Sequence, residues 1–187
     1  MNELQTFCRQ VRDRTVEHRE AMRRAQMAPA LPAQMVSILR QELDSMVRAI
    51  FLLMQDDREY RNELITAAIT GQRWMQPGSR RPVTDRQMVD LVDRLHNWTR
   101  SVYKYGCAFI HLSNLHDHGS RDPLFSLPDE ERTSILEHMR YYHGGPRQPN
   151  PTFHDLVPLL PRVFEKIAGN LECYLKYLEQ GRDFDGS

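Results

Sequence analysis

Histidines carry the clearest signs of chemistry in this sequence, because imidazole is the side chain that most readily moves a proton near neutral pH. Seven of the eight histidines lie between His96 and His154. Five of these seven fall in the stretch from His111 to His143. We therefore expect any catalytic or binding chemistry to lie in the second half of the chain.

One segment combines histidine with arginine at a recognisable spacing. Arg132-Thr133-Ser134-Ile135-Leu136-Glu137-His138 places five residues between an arginine and a histidine, and His143-Gly144 follows shortly after. The segment resembles the motif of the HEPN superfamily, helical-bundle proteins of bacterial defence and toxin systems, many of which are metal-independent endoribonucleases. Their hallmark is an arginine, four to six residues and a histidine, usually with a polar residue directly after the arginine, the position of Thr133 here.

The resemblance implies an RNA or nucleotide ligand, no metal or other cofactor, and a homodimer that brings paired arginines and histidines into one cleft. RNA cleavage without metal uses the 2′-hydroxyl as nucleophile, histidine as base or acid, and arginine to stabilise phosphoryl charge. By that resemblance the candidate catalytic residues are Arg132, His138 and His143. The candidates to hold phosphate or stack on a base are Arg140, Tyr141 and Tyr142.

A second group of candidate binding residues follows from helical spacing. Arg100, Lys104, Cys107 and His111 fall on one stripe when residues are placed about 100° apart around a helix axis. This stripe predicts a polar, cationic surface. A partly enclosed His111 near those cations would have a lowered pKa and could act as a base.

A metal-dependent alternative starts from the adjacent pair His116-Asp117. Such a pair in a helical protein resembles the signature of HD-type phosphohydrolases, in which a further histidine upstream and an aspartate downstream complete a site that activates water. His96 is the upstream candidate and Asp155 the downstream one. This hypothesis predicts bound metal and loss of activity on chelation.

A non-catalytic alternative also stays open, in which the protein binds a protein partner or oligomerises and the histidine-rich region is a structural junction. The arginines of the first helix outnumber its acidic residues, a pattern that fits either contact with an acidic partner or RNA or a solvated helix face. These arginines are Arg9, Arg12, Arg14, Arg19, Arg23 and Arg24.

The elements that must position these residues are helices. Helical periodicity appears in every long segment, and no segment shows strand-like alternation bounded by turn residues. The sequence predicts an all-α, single-domain bundle of five or six helices over residues 1–187, with a frayed tail over residues 180–187. After Thr84, a predicted cap, apolar residues recur at steps of three and four as far as His116. This predicts one long central helix of about 30 residues.

The breaks between helices are marked by proline, glycine and aspartate. The prolines after Met27 end the first helix, Asp56-Asp57 caps a third helix that ends at Gly71, and Gly144 ends the helix that carries the arginine and histidine motif. The second helix is predicted over residues 33–55. The last helical region begins near Thr152 and is interrupted by two prolines.

Composition excludes several classes of protein. The chain has 187 residues, of which 40% are hydrophobic and 27% charged, and its formal net charge is zero, so no overall field draws it to nucleic acid or anionic lipid. No apolar run reaches the roughly 20 residues that a membrane helix needs, and three widely spaced cysteines fit neither a disulfide framework nor a Cys-x-x-Cys zinc module. We therefore expect a cytoplasmic protein without a membrane partner.

Overall fold

The computed structural model describes residues 2–27, 30–96, 98–110 and 117–182. It confirms the predicted all-α fold: within these ranges the only β pairing is an isolated bridge between Met75 and Pro82. The α-helices are α1 (Glu3–Ala25), α2 (Pro32–Leu53), α3 (Arg58–Ile69), α4 (Asp85–His96), α5 (Thr99–Ile110), α6 (Asp129–His143), the single turn α7 (Phe153–Leu156) and α8 (Leu160–Glu179). Short 3-10 turns at Pro123–Ser126 and Val157–Leu159 complete the described elements.

Helix α2 lies at the centre of the bundle. Fourteen of its 22 residues are buried, and it packs against α8, α5, α1 and α4. A helix that is apolar on almost every side belongs in a protein interior. The central helix is therefore α2, whose Pro32 stands in the first turn, where a missing amide hydrogen costs nothing.

The prediction of a single long helix after Thr84 is wrong, because the segment forms two helices of 12 residues each. The side chain of Asp93 accepts a hydrogen bond from the backbone amide of Arg100 (3.0 Å), so α4 supplies a cap for the start of α5. Both helices pack on α2. The apolar spacing continues across the break between α4 and α5. This continuity explains why the sequence predicted one long helix and therefore too few helices.

Most predicted helix ends are confirmed. The Asp57 side chain accepts hydrogen bonds from the first amides of α3. Gly71 and Gly144 have φ angles of 70° and 76°, the left-handed conformation that glycine adopts after a helix. Helix α8 ends at Glu179, and residues 183–187 of the predicted frayed tail lie outside the described ranges.

Helix α6 lies over α5 and α8 as an outer layer. Its buried side chains, Leu136, Met139 and His143, face the apolar residues of those helices. Its other side faces solvent, where Tyr141 and Tyr142 are 82% and 58% exposed. This arrangement sets the arginine and histidine motif at the surface of the bundle.

Within the described ranges, every helix is too short or too polar to cross a lipid bilayer.

Candidate functional site

The candidate site that gathers the most residues predicted from the sequence is an open groove between Trp98, just before α5, and the outer side of α6. Its volume is about 640 Å³, within the range of small-molecule sites. Its lining residues are Trp98, Ser134, Glu137, His138, Arg140, Tyr141 and Tyr142. Four of the residues predicted from the sequence thus lie in one place.

Local sequence explains why α6 presents these side chains. The helix begins after Pro128 with three acidic residues at its positive end, and its last turn carries Arg140 and His143 at the negative end. His138 and Tyr142 are four residues apart and therefore share one side of the helix. Their rings are 4.5 Å apart at an interplanar angle of 37°.

The aromatic rings form a continuous row across the groove. The indole of Trp98 lies 5.4 Å from the His138 ring, which also contacts Tyr142. Tyr141 packs edge-on against Tyr142 with 4.6 Å between ring centroids. Rings at these separations make favourable aromatic contacts with one another and present π surfaces to a ligand.

A small apolar pocket lies beneath this row, between α5, α6 and α8. It holds about 40 Å³ and is bordered by His138, His143 and Lys166 together with apolar side chains of all three helices. The pocket is far below the roughly 300 Å³ at which ligand sites begin. The groove outside is therefore the part that could hold a nucleotide.

Burial keeps both histidines of the site neutral. Desolvation, with a smaller contribution from His143, lowers the pKa of His138 to about 4. Desolvation, assisted by the positive charges of Lys166 and Arg162, also lowers the pKa of His143. At neutral pH the His138 ring is therefore neutral and its acid form is scarce, and a pKa of about 4 also makes the neutral ring a weak base.

Within the described residues, three cations near the groove or the pocket form no ion pair with a carboxylate: Arg140 lines the groove, Lys166 borders the small pocket, and Arg162 contacts the end of α6. Arg140 donates to the carbonyl oxygens of Pro146 (3.1 Å) and Gln148 (3.2 Å), which holds the loop after α6 but leaves the guanidinium charge uncompensated. Arg162 donates to the carbonyl oxygen of His143 at 3.4 Å. Lys166 is exposed at the edge of the small pocket.

The structure does not bring Arg132 to His138 within one chain. Six residues along a helix correspond to about 9 Å of rise and a rotation of about 120°. The Arg132 guanidinium donates to Asp129 Oδ1 at 2.8 Å and lies 5.4 Å from the centre of the Phe125 ring. A site containing both residues would need the second subunit that the HEPN resemblance implies.

The predicted cationic stripe lines a separate cleft of about 520 Å³ between α4 and α5. Arg100 pairs with Asp90 at 2.9 Å, and Lys104 pairs with Glu131 at 2.5 Å. Acidic residues of α4 and α6 thus compensate these two charges. Cys107 borders the same cleft, and His111 lies outside the described residues.

The structure describes only some of the residues that the metal hypothesis names. His116 and the side chain of His96 fall outside them, and Asp117 is exposed at the start of a turn. Asp155 accepts hydrogen bonds from the backbone amide and hydroxyl of Thr152, both at 2.7 Å, so it caps α7. Among described side chains, no cluster of three histidine, cysteine or acidic residues could hold a metal ion.

Sequence reasoning missed two members of the site. Trp98 fits the apolar seam of a continuous helix, and its contact with His138 arises only from the packing of α6 against α5. Lys166 stands on α8, three residues after Val163, which also borders the small pocket. That spacing placed Lys166 near an apolar side of α8, but nothing local indicated that α6 would cover it.

Comparison of the chain with models of protein families, with curated proteins and with solved structures finds no match. Fold and site define the class: an all-α bundle with an aromatic groove flanked by uncompensated cations.

Proposed function

We propose that the protein binds single-stranded RNA or a nucleotide in the α6 groove, with a base stacked on the aromatic row. The observation that carries this proposal is the contact of the His138 ring with both Trp98 and Tyr142, at ring distances of 5.4 and 4.5 Å, in an open groove. Proteins that hold single strands without reading sequence combine aromatic stacking with a positively charged path for the backbone.

The charge around the groove supports the proposal. Arg140, the cation that lines the groove, has no carboxylate partner among the described residues, in contrast to Arg100 and Lys104 in the separate cleft. A bound phosphate would supply the missing negative charge. Binding through such contacts weakens as salt rises, because counterions are released from the nucleic acid.

The geometry of one chain favours binding over cleavage. Neutral His138 could take the proton of a ribose 2′-hydroxyl, but cleavage also needs an acid for the leaving oxygen and a cation for the phosphoryl group. Arg132 is held at the opposite end of α6 by Asp129. Metal-independent cleavage, which the HEPN resemblance implies, therefore depends on a homodimer that supplies the missing groups.

The first experiment measures binding of fluorescent oligouridylate and of adenosine monophosphate to wild type and to Tyr142→Leu. Loss of one stacking surface is expected to weaken binding by roughly tenfold. Tyr177→Leu is the matched control, since Tyr177 is an exposed tyrosine on α8 outside the groove. Equal affinities of wild type and Tyr142→Leu would contradict the proposal, as would failure of both probes to bind at low salt.

The same oligonucleotide separates binding from cleavage. Incubation with and without a chelator, followed by analysis of the products, tests for nuclease activity in wild type, His138→Gln and Arg132→Gln. Products that persist with chelator and vanish in both variants would support the metal-independent nuclease. Products that vanish only with chelator would favour the metal-dependent phosphohydrolase.

A protein interface is the second candidate function, and the exposure of Tyr141 and Tyr142 favours it. Two exposed tyrosines in contact, beside cations, are also typical of protein-binding surfaces. Sedimentation of wild type and of Tyr141→Ser distinguishes this function. A dimer that the variant dissociates, together with absence of RNA binding, would replace the first proposal by the second.

A further inference from the structure

One arginine of α1 differs from all the others. Arg9 pairs with Asp13, Arg12 with Glu172 and Glu179, Arg19 with Glu165, and both Arg23 and Arg24 with Glu20. Within the part of the chain that the structure describes, only Arg14 of these six arginines has no carboxylate partner, and its hydrogen bond runs from Nε to the Nε2 atom of His18 at 3.5 Å. The basic surface predicted for α1 is thus compensated within the chain except at this position.

Arg14 borders a cleft of about 340 Å³ formed by α1, α2 and the chain after α3. The residues that line the cleft are Phe7, Gln10, Val11, Arg14, Ser45, Arg48, Ala68, Gly71, Gln72 and Trp74. Two are arginines, two are glutamines and none is acidic. A cleft that is lined by apolar side chains and polar donors, without a carboxylate, is suited to bind an organic anion.

A buried network stands behind Arg14. Glu42 is completely buried, and its carboxylate accepts a hydrogen bond from Thr15 Oγ1 (2.7 Å) and contacts His18 Nδ1 (2.7 Å). With the proton on Nδ1, the other ring nitrogen of His18 is left as an acceptor, and it faces Arg14 Nε. Glu42 and His18 thereby fix one side of the guanidinium and leave its two terminal nitrogens for a ligand.

The second arginine of the cleft is already neutralised. Arg48 donates to Asp44 at 2.9 Å and to Asp85 at 3.3 Å, and its guanidinium lies 5.1 Å from the centre of the Trp74 ring. One uncompensated positive charge, that of Arg14, therefore remains in the cleft. A single charge matches a monoanion better than a polyphosphate.

We propose that this cleft binds a small organic carboxylate, whose carboxyl group pairs with the terminal nitrogens of Arg14 and whose apolar body lies against Phe7 and Val11. Two parallel hydrogen bonds between a guanidinium and a carboxylate are strong and fix the ligand's orientation. The site lies on α1, α2 and the chain after α3, whereas the RNA groove lies on α5 and α6. Each proposal can therefore be tested, and contradicted, independently of the other.

Benzoate is the first probe, and benzamide, which has the same shape without the charge, is its control. Binding is followed by calorimetry and by the fluorescence of Trp74 in a Trp98→Phe background, which leaves Trp74 as the sole tryptophan. We expect benzoate to bind and Arg14→Gln to weaken it by roughly tenfold or more. Arg9→Gln, an exposed arginine of the same helix outside the cleft, is expected to leave the affinity unchanged.

The role of the buried network is tested by a double-mutant cycle on benzoate affinity. If Glu42 and His18 act by positioning Arg14, the effects of Glu42→Gln and Arg14→Gln are not additive. Additive effects would show that Glu42 influences benzoate affinity independently of Arg14 and would contradict the positioning role. Thermal unfolding of each variant confirms that the compared proteins are folded.

Three results would overturn the carboxylate proposal. Benzamide could bind as tightly as benzoate, Arg14→Gln could bind benzoate as wild type does, or benzoate could fail to bind. Inorganic phosphate is the competing probe: binding of phosphate that depends on Arg14, without binding of benzoate, would assign the cleft to a different class of anion.

Discussion

The histidines show how strongly surroundings decide what one residue type can do. His138 and His143 lie against apolar side chains of α5 and α8, and burial lowers the pKa of both. His18 is also buried, but it lies between a carboxylate and a guanidinium, which fix its tautomer. His138 therefore provides an aromatic surface, whereas His18 links a carboxylate and a guanidinium by hydrogen bonds.

The pKa of His138 leads to a prediction about acid stability. A folded-state pKa of about 4, below the ordinary value of about 6.5, means that the unfolded chain takes up this proton first. The stability that His138 contributes as a neutral ring is complete above pH 6.5 and declines as the pH falls toward 4. We expect wild type to lose stability over this range and His138→Gln to show a shallower slope, measured by urea unfolding.

Proton NMR provides the direct test of the same prediction. The ring protons of His138 should titrate near pH 4, well below the unperturbed range for histidine. A midpoint at or above 6.5 would show that the ring is solvated, and the packing of α6 described above would then be wrong.

Helices α2 and α5 approach each other closely at Gly106. Gly106 is buried where α5 crosses α2, and a Cβ atom added there would lie 2.7 Å from the Cβ of Arg40. Arg40 is itself held in place, with its guanidinium 3.2 Å from the centre of the Tyr103 ring and its Nε donating to Cys107 Sγ at 3.3 Å. The backbone would have to shift to admit a methyl group.

Two glycine substitutions in helices should therefore have opposite effects. Gly106→Ala is expected to destabilise the protein by about 1 to 3 kcal/mol, because overpacking exceeds the gain in helix propensity. Gly169→Ala in α8, where nothing lies within 4 Å of the added atom, is expected to stabilise it by about 0.5 to 1 kcal/mol. Urea unfolding measures both, and a stabilising Gly106→Ala would contradict the close contact of α2 and α5.

Across the whole molecule, two arginines of α1 pair with acidic residues of α8: Arg19 contacts Glu165, and Arg12 contacts two carboxylates. Arg12 of α1 donates to Glu172 at 2.9 Å and to Glu179 at 2.7 Å, both on α8. About a third of each side chain is exposed, so solvent and salt weaken the attraction. The contact adds to the apolar packing of α1 and α8 against α2.

We expect Arg12→Gln to lower the free energy of unfolding by about 1 kcal/mol in low salt, and by less in 1 M NaCl, where charges are screened within about 3 Å. Arg9→Gln removes an exposed pair within α1 and should change stability by less than about 0.5 kcal/mol. A loss for Arg12→Gln that is the same at both salt concentrations would indicate that packing, not charge, joins the two helices.

Helix formation was predictable because its signals are local. Apolar spacing identified the helical segments, and Asp57, Gly71 and Gly144 ended or capped helices where the sequence indicated. The same spacing did not reveal the break between α4 and α5. The hydrogen bond from the Arg100 amide to Asp93 caps the start of α5, but the apolar pattern continues unchanged across the break.

The candidate sites depend on contacts that no local pattern records. His138, Arg140, Tyr141 and Tyr142 were identifiable from their spacing on one helix, whereas Trp98 joined them only through the packing of α5 against α6.

Charge shows the same division between local pattern and fold. Six arginines on α1 are visible as a basic helix, but the acids that neutralise Arg12 stand 160 and 167 positions away. Local order follows from interactions within a few residues, which the sequence displays directly. Which charge stays uncompensated, as at Arg14, depends on distances set when remote helices pack together.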